Sequence, residues 1–112
     1  MYESVREAAR RVLVVGAPAG NTGLLPGGVL APDGLLIVME GDKARAADIR
    51  RSLSRDGLGS RATVIGGDPL RMLHKLAGPF DLIICSAAYL PVRPALEKLL
   101  APDGVLITNG EG

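Results

Sequence analysis

The sequence predicts an α/β fold: a doubly wound sheet of about five parallel strands in the order 3-2-1-4-5, flanked by helices as a three-layer sandwich. Three observations carry this expectation. Short continuous apolar runs recur along the chain, each bounded by Gly, Pro, Asp or Asn. Continuous rather than alternating apolarity marks strands buried on both faces, as in a parallel sheet. Stretches of helical periodicity separate the runs and are long enough for right-handed crossovers.

The 112 residues make one domain, 1–112. Residues 3–10 are expected to form a leading helix. RVLVVG (Arg11–Gly16) is the first strand, and LLIVME (Leu35–Glu40) the second. In DKARAADIRRSLSRDG (Asp42–Gly57), Ala46, Ile49 and Leu53 mark an apolar stripe, and Gly57 is a natural helix stop. RATVIGG (Arg61–Gly67) is the third strand. DPLRMLHKLAG (Asp68–Gly78) opens with Asp then Pro, an N-cap followed by the favoured first helical residue. Its Leu70, Leu73 and Leu76 are expected to face inward. FDLIICSA (Phe80–Ala87) is the fourth strand. PVRPALEKLLAPDG (Pro91–Gly104) is a further helix with Leu96, Leu99 and Leu100 apolar, and GVLITNG (Gly104–Gly110) is the fifth strand. APDG occurs at Ala31–Gly34 and Ala101–Gly104, and both copies read as turns leading into strands.

Composition narrows the function classes. Thirteen basic and 12 acidic residues give a net charge of +1, which makes no electrostatic case for nucleic acid or an anionic membrane. No apolar run approaches the ~18 residues of a membrane span. Aromatic residues are 3% of the chain, so Val, Leu, Ile and Ala must build the core. MYESVREAARR lacks the apolar segment of a signal peptide. Cys85 is the single cysteine, which excludes an internal disulfide and makes a cytoplasmic setting the default.

In such a sheet ligands bind outside the carboxyl ends of the strands, beside the first strand. Four loops stand there. In GAPAGNTG, Gly16 and Gly20 let the backbone approach a ligand, and Asn21 or Thr22 can cap a short helix. The spacing Gly-x3-Gly-x2-Gly is neither the dinucleotide fingerprint nor a phosphate loop, and a plain tight turn is the alternative. Glu40 ends the second strand about 24 residues after Gly16, where an acid can accept both ribose hydroxyls. Alternatively it is a solvated acid, with Asp42 capping the next helix. Asp68, after Gly66-Gly67, can meet an adenine amino group and cap its helix at once. Ser86 and Tyr89, in CSAAYLP, can face an acceptor. Cys85 reads as a buried small hydrophobe and His74 as an exposed side chain, with no triad or metal cluster around either.

Taken together, VLVVGAPAG, VMEGDKARAADIRRSL, VIGGDPLRML, GPFDLIICSAA and LLAPDGVLI resemble the class I S-adenosylmethionine-dependent methyltransferases over residues 11–110. The resemblance implies a Rossmann-like fold with S-adenosylmethionine as cofactor. It lays Gly16 and Gly20 along the methionine part, Glu40 on the ribose and Asp68 beside adenine, with Ala17, Gly67 and Ser86 completing the cofactor set. The O-methyltransferases of the catechol and caffeoyl-CoA type share the GPFDLI and APDG style. They hold a divalent metal where this chain has Ser86, Asn109 and Gly110, so no metal is expected. Protein-isoaspartate O-methyltransferases are similar in the small turn after strand four and need no metal.

The departures point the other way. Val14 stands where the first strand usually has an acid, Pro18 stands where a glycine is usual, and Pro26-Gly27-Gly28 interrupts the first helix. Both families carry more chain on either side, so an acceptor lid and a terminal hairpin are expected to be missing. A homodimer or a larger partner subunit would then cover an open edge. Methyl transfer to an oxygen acceptor without metal is therefore one expectation, with the acceptor unread and no general base beyond Tyr89. A non-catalytic scaffold that has lost activity is the alternative. A nicotinamide-dinucleotide domain is the third reading, against which the glycine spacing stands.

Overall fold

The computed structural model describes residues 9–16, 30–55 and 57–109. Strand β1 (Ala9–Val15) is followed by β2 (Leu30–Glu40), helix α1 (Lys43–Arg55), β3 (Ala62–Gly66) and the short helix α2 (Pro69–Met72). Next come a 3-10 turn at Leu73–Lys75, β4 (Phe80–Ser86), a 3-10 stretch at Ala87–Val92, α3 (Arg93–Glu97) and β5 (Leu100–Asn109). The five strands among the described residues are parallel and their order is β3-β2-β1-β4-β5, as the sequence predicts.

Successive residues of each central strand feed opposite faces of the sheet. Val12 and Val14, with Leu36, Val38, Leu82, Ile84 and Ile107, pack with Ile49 and Leu53 of α1. Leu13 and Val15, with Met39, Ile83 and Cys85, pack with Leu73, Val92 and Leu96 on the other face. Two buried faces require apolar side chains at every position, which is why the runs are unbroken. Cys85 is a member of this core, and burial pushes its thiol above the ordinary range.

The APDG copies differ from their expected place outside the strands. Each lies inside its strand as a bulge. Between Ala9 and Arg11, β1 advances two residues while β2 advances five, from Leu30 to Leu35. Between Phe80 and Leu82, β4 advances two while β5 advances five, from Leu100 to Val105. Pairing starts before the turn and resumes after it, so the strand continues around it. Gly104 makes the second bulge tight: a Cβ there would lie 2.8 Å from the Phe80 carbonyl oxygen.

Three more expectations are corrected. Ala9 and Arg10 belong to β1 and not to a leading helix, whose remaining residues lie outside the described ones. Leu70 is exposed, not inward-facing. The inward stripe runs through Pro69, Met72, Leu73 and Leu76, the i, i+3, i+4, i+7 pattern, which turns Leu70 away. Leu100 begins β5 and does not end a helix, because α3 stops at Glu97.

Asp81 ties β1 to β4 at the edge where the strands begin. Its Oδ2 accepts hydrogen bonds from the backbone N–H groups of Arg10 at 2.9 Å and Arg11 at 3.1 Å. The Arg11 guanidinium donates to the Ala77 carbonyl at 2.9 Å and lies over the Phe80 ring, 5.0 Å from its centroid. Replacing Asp81→Ala leaves two backbone donors without their acceptor. Stability is expected to fall by about 1.5–3 kcal/mol, read as a lower urea midpoint at unchanged slope.

Candidate functional site

The parallel topology brings the loops after β1, β2, β3 and β4 to one edge of the sheet. Gly16 follows β1 with φ of 76°, a left-handed conformation that favours glycine. Its N–H donates to the Met39 carbonyl at 2.8 Å, so the turn begins at the last rung between β1 and β2.

Glu40 ends β2 and is 2% exposed, which removes the solvated-acid alternative. Its Oε2 accepts from the Asp42 backbone N–H at 2.9 Å and lies 3.8 Å from Arg45 Nη1. The Glu40 carbonyl accepts from Gly67 N–H at 3.0 Å, which draws the loop after β3 against it. Asp42 caps α1 by accepting from Ala44 N–H at 2.9 Å. Asp68 caps α2 in the same way, accepting from Leu70 N–H at 3.0 Å. Ser86 ends β4, is buried, and accepts at its carbonyl from the Cys85 thiol at 3.3 Å.

Tyr89 closes the arrangement. A Cβ on Gly16 would lie 2.4 Å from Tyr89 Cε2 and 3.1 Å from Ser86 Cβ, so the ring rests on the β1 turn. The phenol oxygen would lie 3.3 Å from a Cβ on Gly41. The ring thus runs from the end of β1 to the end of β2. Burial raises the phenol's pKa above 10.0, the Glu40 and Asp68 charges raise it further, and Arg45 opposes them. The phenol therefore keeps its proton at pH 7 and can donate a hydrogen bond.

Of the sequence-predicted site residues, Gly16, Glu40, Gly67, Asp68 and Ser86 gather at this edge, while Ala17 and Gly20 lie outside the described residues. What sequence reasoning missed is the reach of Tyr89 onto Gly16. No local signal marks that contact, because it joins loops that are far apart in the chain. His74 is exposed, as read. Two surface hollows, of about 660 and 610 Å³, lie on the outer side of α1 and between α2 and α3, and neither is lined by these site residues.

No family model matches the chain. It is 32% identical over 108 residues to a catechol O-methyltransferase of Niastella koreensis, across 90% of this chain and 49% of that protein. To a catechol O-methyltransferase of Mycobacterium tuberculosis it is 35% identical over 80 residues, across 70% and 36%. Its fold resembles the O-methyltransferase TomG of Streptomyces achromogenes, solved in complex with S-adenosylmethionine. That match has a TM-score of 0.78 and 26% identity, over 95% of this chain and 51% of that one. The chain spans about half the length, or less, of the curated relatives it matches.

The environment of Tyr89 is measurable directly, because Tyr2 and Tyr89 are the only tyrosines and there is no tryptophan. In a Tyr2→Phe background, phenolate absorbance should titrate above pH 10. Glu40→Gln should lower that midpoint without restoring the ordinary value, since burial is the larger cause. The raised value adds stability that is fully present below the unfolded phenol's pKa and lost as pH rises through the folded one.

Proposed function

The chain belongs to the class I S-adenosylmethionine-dependent methyltransferases of O-methyltransferase type, and from that premise we propose that it holds S-adenosylmethionine at this edge for methyl transfer to an oxygen acceptor. The observation that carries the reading is Glu40: a buried carboxylate at the end of β2, fixed by the Asp42 N–H and Arg45 beside the Gly16 turn.

The residues present suit the cofactor. The left-handed Gly16 allows close backbone approach, and we assign Gly16, with Ala17 and Gly20, to the methionine part. Glu40 accepts the ribose hydroxyls, and Gly67 and Asp68 border the adenine. Glu40 and Asp68 place two carboxylates at this edge, with Arg45 3.8 Å from Glu40 offsetting part of their charge. When bound, the cofactor supplies an electrophilic methyl group on its sulfonium. The chain's contribution is then to fix donor and nucleophile close and in line, which can supply much of the rate. Ser86 ends β4 and Asn109 ends β5, so neither position offers a carboxylate to a divalent ion, and the proposed transfer uses no metal.

The reading extends to assembly and setting. β3 and β5 are the edge strands among the described residues, and unpaired strand edges favour pairing with another chain. We include a homodimer or a larger partner subunit, in a cytoplasmic setting. No described helix is long and apolar enough to cross a membrane.

Calorimetric titration with S-adenosylmethionine should give saturable binding to the wild-type chain. Glu40→Gln should weaken it about 10–100-fold, the worth of a charged hydrogen bond. No heat at millimolar ligand with folded protein would count decisively against the reading. Light scattering should show a dimer, and a monomer at high concentration would remove the homodimer.

A further inference from the structure

We infer that Tyr89 is a side-chain plug on the cofactor cleft, lying where the ligand must settle and swinging away to admit it. The inference rests on the cofactor reading above and deepens it by naming the group that competes for the space.

Ring and ligand compete for one volume. Gly16 lacks a side chain, and the usual gain from glycine at such a turn is that a ligand can lie against the backbone. Here the Tyr89 ring takes that approach. The position a Gly16 Cβ would occupy is 2.4 Å from ring atom Cε2 and 2.6 Å from Cδ2. The other end of the ring reaches Gly41, the residue after Glu40, with the phenol oxygen 3.3 Å from the corresponding Cβ position. A ligand bridging the Gly16 turn and the Glu40 carboxylate must cross the same line. Non-bonded carbon atoms keep about 3.5–4.0 Å apart, so ring and ligand cannot share it.

The ring is also placed to move. Tyr89 lies in the 3-10 stretch after β4, outside the sheet ladder, and is only partly buried. It packs against the core cluster containing Val15 and Val92 without being a fully buried member of it. Rotation about its side-chain bonds would uncover Gly16 with β1, β2 and β4 left in register. A binding-competent state that is a minority population lowers apparent affinity by its own fraction. Removing the ring removes that penalty.

The test compares binding of S-adenosylhomocysteine to the wild type, Tyr89→Ala and Tyr89→Phe by calorimetry, with circular dichroism to confirm folding. Tyr89→Ala should bind about tenfold more tightly or better, as expected if the open form is about a tenth of the population or less. Tyr89→Phe keeps the ring and should bind like the wild type. Equal or weaker binding by Tyr89→Ala overturns the plug and leaves the cofactor reading standing. A gain in Tyr89→Phe equal to that in Tyr89→Ala also overturns it, since the ring would not be the obstacle. Absence of binding in every folded variant overturns the cofactor reading and the plug with it.

A second measurement needs no change at Tyr89. In the Tyr2→Phe chain, acrylamide quenching of the remaining tyrosine should increase when S-adenosylhomocysteine saturates the protein. Unchanged or reduced quenching overturns the plug.

Discussion

Strand β1 is paired on both sides, to β2 through Val15 opposite Met39 and to β4 through Val15 opposite Cys85. With neighbours parallel on either hand, its turn can only leave from the edge where theirs leave. The Gly16 N–H to Met39 carbonyl bond is the last rung on that ladder. It sets the height at which the chain departs and places Gly16 level with Glu40, and the next rung out, Gly67 N–H to the Glu40 carbonyl, brings the β3 loop to the same height. Glu40 and Asp68 reach one small region because three ladders share one direction, although 27 residues separate them in sequence.

That convergence has an energetic cost. A carboxylate out of water loses hydration that a single ion pair seldom repays. Glu40 recovers part of it from the Asp42 N–H and part from Arg45, whose own side chain stays partly in solvent. Asp42 serves twice, offering its N–H backwards to Glu40 and its carboxylate forwards to the first turn of α1. The start of α1 and the polarity of the site are therefore set by the same residue. The phenol at the edge is held protonated first by its own burial and then by the Glu40 and Asp68 charges, with Arg45 opposing them.

The strand runs, their order and the Asp68-Pro69 helix start were legible because each depends on local chemistry or on the handedness of crossovers. Burial on both faces left its mark at every position from Val12 to Val15. The rest depended on register or on distant partners. Nothing in APDG itself says whether pairing resumes beyond it, and in both copies it does. Leu70 carries the same residue type as Leu73, and only the phase set by Pro69 separates exposed from buried. The burial of Glu40 and the reach of Tyr89 both involve contacts between loops that are far apart in sequence, which periodicity cannot show.

The paired bulges have a consequence for the opposite rim of the sheet. Each adds three residues to one strand relative to its neighbour, and both do so where the strands begin, below Leu36 on β2 and below Val105 on β5. Above them the registers run without a shift to Met39 and to Asn109. Surplus chain is thus absorbed on the rim away from Glu40 and Ser86. The molecule has a tolerant rim and an exacting one, and changes of length are accommodated where they displace no atom of the site.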